Sequence, residues 1–262
     1  MKPESSTSPL IDVEGVTKRF GGLVALDNVS MTLPRGPISG LIGPNGAGKS
    51  TFFNVLTGAL QADGGQLLFE GQKINDVPAH ARVGMGMVRT FQKIHPFRGM
   101  TVLESVMVGH RNSRAGMLAA IFKPRWVYRE ERAIREAARE ALAFVGLDRQ
   151  ENDLADVLPL GRQRHLQLAC ALVTDPHVLL LDEPASGLNN SETLRLADML
   201  LSIRDRGVTM MLVEHNIGLV MRVCERITVL CFGRKLAEGA PAEIRANPEV
   251  ISAYLGGGRK NA

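Results

Sequence analysis

A chain of 262 residues, 45% hydrophobic and 22% charged, has the balance of a folded protein and the length for one large domain or a domain carrying a subdomain. Its net charge of +4 arises from lysines and arginines scattered among Glu and Asp, which excludes the basic footprint of a nucleic-acid binder. Three cysteines (Cys170, Cys224, Cys231) sit in apolar segments without metal-ligand spacing, no apolar run approaches the roughly 18 residues that cross a bilayer, and Met1 to Pro9 lacks a signal peptide's apolar core, so a cytosolic chain in a reducing compartment is expected.

Residues 10–14 and 24–33 read as strands around a turn; in the second, Val24, Leu26, Val29, Met31 and Leu33 are the alternating apolar positions. Phe20, on the loop after the first strand, is a candidate for stacking on adenine and equally readable as a packing residue. The apolar run Pro37 to Ile42 predicts a buried strand, and Thr51 to Thr57 a helix. Between them lies Gly43-Pro44-Asn45-Gly46-Ala47-Gly48-Lys49-Ser50-Thr51, which fits the phosphate-binding pattern G-x-x-x-x-G-K-[ST] in its required strand-to-helix context. The glycines let successive N–H groups point inward at phosphate oxygens, and the helix N-terminus adds favourable partial charge. Lys49 is placed to reach the β- and γ-phosphates, and the Ser50 hydroxyl to ligate Mg²⁺.

Gln66 to Glu70 and Lys73-Ile74 predict a small hairpin closed by Gly71. Arg89-Thr90-Phe91-Gln92 follows, where the neutral amide of Gln92 can ligate Mg²⁺ or hold an attacking water without adding charge. From about Val102 to Val145 the pattern is helical: Ile134, Ala138, Ala141, Leu142 and Val145 recur at helical spacing, the charged residues between them form a solvated face, and Gly146 is the stop. A helix is expected over Leu166 to Val173, a buried strand over Val178 to Leu181, a helix from Ser191 to Arg204, and strands over Val208 to Val213 and Ile227 to Cys231. Pro241 to Leu255 reads as short helical pieces. The whole is an α/β nucleotide-binding core interrupted by a helical subdomain, without an internal repeat.

Two carboxylates, Asp182 and Glu183, stand at the end of the strand Val178 to Leu181, where ligands of parallel α/β sheets bind. Asp182 is placed to hold Mg²⁺ through water, and Glu183 to orient and polarise the water that cleaves the γ-phosphate. His215, at the end of the next strand, is placed for contact with the γ-phosphate.

In this order the segments resemble the ATP-binding subunit of ABC transporters, over nearly the whole chain. The resemblance makes Phe20 the adenine-stacking aromatic, Gly43 to Thr51 the Walker A loop, Gln92 the Q-loop glutamine, Asp182 and Glu183 the Walker B pair, and His215 the switch histidine. Ser186 to Asn189 falls on the D-loop, with Asn189 in place of the usual Asp. The signature, usually Leu-Ser-Gly-Gly-Gln, corresponds to Leu158-Pro159-Leu160-Gly161-Arg162-Gln163-Arg164; Pro159 offers neither hydroxyl nor N–H, so Gly161 and the helix N-terminus remain as donors, with Arg162 as a source of compensating charge.

A narrower resemblance, carried by Val88 to Gln92, Pro96 to Val106, Val213 to Asn216 and Asn247 to Gly256, is to the branched-chain amino acid importer group, whose members tolerate such a signature; related urea, amide and aromatic-compound importers share much of it. It implies a P-loop NTPase (RecA-like) core over 10–92 and 174–240, with an antiparallel β subdomain, a helical subdomain over about 93–173 and a helical tail over 241–262. It further implies ATP and Mg²⁺ as cofactors, two permeases, a second and different ATP-binding subunit and a periplasmic or extracellular solute-binding protein as partners, and a peripheral place on the cytoplasmic face of the membrane. A low-turnover regulatory subunit is the alternative that Pro159 and Leu160 raise. A DNA- or ribosome-directed ATPase is disfavoured by the single phosphate loop, and a small GTPase by the lack of an Asn-Lys-x-Asp motif.

Overall fold

The computed structural model describes residues 8–90, 99–110 and 125–256. The described strands form two sheets. The smaller joins β1 (Ile11–Phe20), β2 (Leu23–Leu33), β4 (Gly64–Phe69) and β5 (Gln72–Lys73), all antiparallel, in the order β2-β1-β4-β5. The first strand therefore runs past residue 14 to Phe20, held by pairing with β2 on one side and β4 on the other. The expected hairpin turn is present, with Glu70 and Gly71 both at positive φ, as a tight two-residue hairpin requires.

The larger sheet has the order β10-β9-β3-β8-β7-β6, built from β3 (Ile38–Ile42), β6 (Met87–Thr90), β7 (Val178–Asp182), β8 (Thr209–Val213), β9 (Arg226–Cys231) and β10 (Arg234–Gly239). All pairs are parallel except the edge pair β9–β10. Every residue of β3, β7 and β8 is buried, as expected of parallel strands covered on both faces. Successive side chains point to opposite faces, so these strands divide their residues between two cores. Ile38, Ile42, Leu179, Leu181, Met210 and Leu212 join the larger cluster. Leu41, Val178, Leu180, Met211 and Val213 join the other, with α1 (Lys49–Leu56) and the apolar face of the antiparallel sheet.

The first of these cores extends into α3 (Val102–Gly109), α4 (Arg125–Phe144) and α5 (Leu160–Leu172) through Val102, Val106, Ala138, Leu142, Leu166 and Ala169. The helical reading of Val102 to Val145 holds for the described part, and Gly146 ends α4 at a φ of 73°. The helix expected from Leu166 instead starts at Leu160. Pro159 is its N-cap, with ψ 150°, and the Pro159 carbonyl accepts the Gln163 N–H at 2.9 Å, so the helix begins directly after the proline. The remaining α-helices among the described residues are α2 (Ala79–Gly84), α6 (Asn190–Asp205), α7 (Ile217–Val223), α8 (Pro241–Ala246) and α9 (Pro248–Gly256). Asn189, standing where the resemblance expects Asp, caps α6: its side chain accepts the Glu192 N–H at 3.0 Å while Glu192 reaches back to the Asn189 N–H at 2.9 Å.

One buried cation braces α1 from behind. The Arg82 guanidinium, in a residue 2% exposed, donates to the carbonyls of Val55 (2.9 Å), Leu56 (2.7 Å), Val77 (2.8 Å) and Ile74 (2.5 Å). A positive charge on the last carbonyls of α1 complements its dipole. Among the described residues no helix is long and apolar enough to cross a membrane.

Candidate active site

The carboxyl ends of β3, β7 and β8, adjacent in the sheet, converge on one cleft of about 640 Å³. Phe20, Asn45 to Thr51, Glu183 and His215 line it together. β3 delivers the chain into Gly43, where a Cβ would lie 2.1 Å from the Leu230 carbonyl oxygen at a φ of 154°, so only glycine fits. Gly48, at φ 100°, turns the loop into α1 and accepts the Phe52 N–H at 2.8 Å, leaving the first-turn amides to face the cleft. The Lys49 ammonium donates to the carbonyls of Gly43 at 2.7 Å and Pro44 at 3.0 Å, folding back over the loop it terminates. Burial lowers the Lys49 pKa, and the charge of Glu183 opposes that shift.

Asp182 closes β7 with little exposure, and its Oδ2 pairs with Arg89 Nη2 at 2.6 Å. Arg89, on β6, also donates from Nη1 to Asn54 Oδ1 at 2.7 Å, which ties the carboxylate to the flank of α1. Glu183 follows with φ 47°, a left-handed conformation unusual for a side-chain-bearing residue, held by its N–H on the Val213 carbonyl at 2.8 Å. His215, just beyond β8, brings Nε2 to 2.9 Å from Glu183 Oε1. The two residues singled out at separate strand ends thus meet side chain to side chain at the cleft.

Phe20 lies at the end of β1 rather than on the following loop, with 46% of its surface exposed at the rim of the cleft. Gln92 lies outside the described residues. The amino end of α5 begins at Leu160, and its Arg162 side chain is turned back to the Gly146 carbonyl at 2.9 Å, closing the end of α4.

Sequence reasoning missed Phe232 in the cleft and the role of Arg89 behind Asp182. Phe232, 88% exposed and at φ 47°, tops the β9–β10 turn and lines the cleft with Phe20. The turn is fixed there by Gly233, whose N–H donates to the Ala47 carbonyl at 3.0 Å and whose carbonyl accepts the Asp27 N–H at 2.8 Å. The pair Phe232-Gly233 after an apolar strand was the available signal. Arg89 was quoted only as a neighbour of Gln92; a lone basic residue within a four-residue strand gave no sign of its carboxylate partner far along the chain.

Residues 26–186 match the model of the family described as ABC transporter, and residues 234–260 that of the branched-chain amino acid ATP-binding cassette transporter. The high-affinity branched-chain amino acid transport ATP-binding protein BraF of Pseudomonas aeruginosa is 42% identical over 250 residues, covering 95% of this chain and 98% of that protein. Its counterpart LivG of Escherichia coli is 42% identical over 252 residues, covering 95% and 99%. Among solved structures, the ADP conformation of an ATP-binding cassette from an ABC transporter superposes with a TM-score of 0.84 at 31% identity, covering 95% of this chain and 100% of that one. A nucleotide-free cassette gives 0.82 at 31% identity, covering 94% and 99%.

Proposed function

The chain belongs to the ATP-binding subunits of ABC transporters, and from that premise we propose that it powers import of branched-chain amino acids by hydrolysing ATP in the cleft between Phe20, the Gly43–Thr51 loop, Glu183 and His215. ATP hydrolysis coupled to transport is the activity of the family. The branched-chain class of solute follows from relatives named for that transport and from the matching tail model.

The observation that carries the residue roles is the Glu183–His215 pair at 2.9 Å, facing the phosphate loop from adjacent strand ends. The Gly46 to Ser50 amides and the Lys49 ammonium bind the β- and γ-phosphates; to do so Lys49 exchanges the carbonyls of Gly43 and Pro44 for phosphate oxygens. Glu183 holds the attacking water and draws its proton, and His215 holds Glu183 and the γ-phosphate in register. Phe20 offers its exposed face to adenine, with Phe232 across the rim.

The Ser50 hydroxyl and Asp182 carboxylate are hard oxygen donors, few in number, which suits Mg²⁺ bound mainly by phosphates and water. When bound, Mg²⁺ neutralises phosphate charge. Gln92 completes this set in our reading. Arg89 balances the Asp182 charge and anchors it to α1.

The partners we infer are two permeases, a different ATP-binding chain and a secreted solute-binding protein, with this chain peripheral on the cytoplasmic face. The amino end of α5, with the amides of Leu160 to Arg162, caps the nucleotide of the paired subunit. The test is ATP turnover by the transporter assembled with its permeases after Glu183→Gln. A fall of about 10²-fold or more with ATP affinity kept is expected; unchanged turnover sinks the assignment. Uptake of labelled leucine, isoleucine and valine by vesicles holding the complex tests the solute class.

A further inference from the structure

Between Glu183 and His215 the chain carries a carboxylate with no part in the scheme above. Glu214 is the first residue beyond β8 and is only 3% exposed. Its Oε1 accepts the Ala185 N–H at 2.7 Å, and its Oε2 accepts the N–H groups of His215 at 2.8 Å and Asn216 at 3.0 Å. An ionised carboxylate buried this far is costly unless hydrogen bonds and opposite charge surround it. Three amides supply the first. The second comes from α5: Arg164, 4% exposed, reaches across to donate from Nη2 to the Ser186 carbonyl at 3.2 Å. Burial acts to lower the Arg164 pKa, while the charges of Glu214 and Glu183 act to raise it.

The connections form a closed ring. Glu183 and His215 meet through their side chains at 2.9 Å, and Glu214 joins the backbones on which both are mounted, at Ala185 and at His215 itself. The ring continues through the Ser186 N–H on the Glu183 carbonyl at 3.0 Å to Arg164 and α5. Packing there is tight: a Cβ on Gly187 would lie 2.8 Å from Leu160 Cδ2, and one on Gly161 would lie 2.8 Å from Glu192 Oε1. The loop after β7 and the start of α5 are therefore in direct contact.

We propose that Glu214 is a positioning residue for ATP cleavage, its carboxylate fixing the loops of Glu183 and His215 against each other, and that Arg164 extends this link to the helical subdomain of the same chain. The inference rests on the roles of Glu183 and His215 given above and deepens them. Any displacement of α5 relative to the β7 loop would act on Glu183 through Arg164 and Ser186.

The test compares Glu214→Gln, Arg164→Met and Glu183→Gln in the assembled transporter. An amide at 214 has one oxygen for two separate donor sites, so either the Ala185 link or the His215–Asn216 link is lost. Turnover by Glu214→Gln is expected to fall about 10-fold or more, with the KM for ATP within about threefold of the parent, since interactions made only at the transition state act on kcat. Arg164→Met, which leaves all three amides in place, is expected to lower kcat in the same way. In the Glu183→Gln background either change is expected to cost less than about twofold more, because residues acting through one group are non-additive. Loss by Glu183→Gln with turnover by Glu214→Gln within about twofold of the parent overturns the positioning role alone; unchanged turnover by Glu183→Gln overturns the catalytic reading instead. Losses by Glu214→Gln that add in full to those of Glu183→Gln, or that follow the fraction unfolded or the ATP affinity, also overturn it.

Discussion

Replacing Arg82 with methionine removes the cation behind the nucleotide-binding helix while keeping much of the side-chain volume. Five carbonyls lose a donor, that of Asn75 only a long contact at 3.4 Å, and two of them keep another: Val55 accepts the Gly58 N–H at 3.2 Å and Ile74 the Val77 N–H at 3.1 Å. The carbonyls of Leu56 and Val77 depend on the guanidinium. The buried Leu56 acceptor and the part-buried Val77 acceptor, at about 1–3 kcal/mol for each fully buried group, set an upper range of about 2–6 kcal/mol of destabilisation. Release of a buried charge offsets part of this, so the lower half of the range is expected, out of a total of about 5–15 kcal/mol for a typical domain. Arg82→Lys keeps the charge but offers one nitrogen, and should fall between parent and methionine variant. Urea unfolding with an unchanged m-value is the assay. A loss below about 1 kcal/mol for Arg82→Met would show that solvent or a shifted loop serves those carbonyls, refuting the reasoning.

Lys49→Ala should weaken ATP binding by a few kcal/mol, about 10²-fold or more, in equilibrium titration; affinity within about twofold of the parent would count against the loop reading. Asn189→Ala should cost about 0.5–2 kcal/mol in urea unfolding through loss of the α6 cap, whereas Asn189→Asp, which caps equally well, should leave stability nearly unchanged. Burial pushes the Cys170 and Cys224 thiols up to about 12, so both should resist iodoacetamide at neutral pH in the folded chain and react after unfolding, as read by mass spectrometry. By the same shift, the unfolded chain sheds these protons from about pH 8.5 while the folded one holds them, so stability should fall as pH rises from there towards 12.

The central strands and the phosphate loop were legible because their signals are local: an unbroken apolar run, a fixed glycine spacing, two acids at a strand end. The edge was not. β6 has four residues and α2 six, too short for a period to show, and the half-exposed β10 has no apolar alternation. The start of α5 at Leu160 was missed because Leu160 to His165 carries too few apolar residues for a helical period to show. Glu183 and His215 were each readable at their strand ends, but their contact depends on β7 and β8 being neighbours in the sheet, a fact of topology. Phe232 reaches the cleft because its turn is pinned to Ala47 and Asp27, partners distant in sequence.

The division of the central strands between two cores has an evolutionary consequence. Leu180 belongs with α1 and the nucleotide half, while its neighbours Leu179 and Leu181 belong with the helices of the other half. The sheet is thus a partition one residue thick, and a substitution on one face is repacked by residues that the opposite face never meets. Core substitutions among the helices of one half can therefore accumulate without disturbing the side chains packed behind α1.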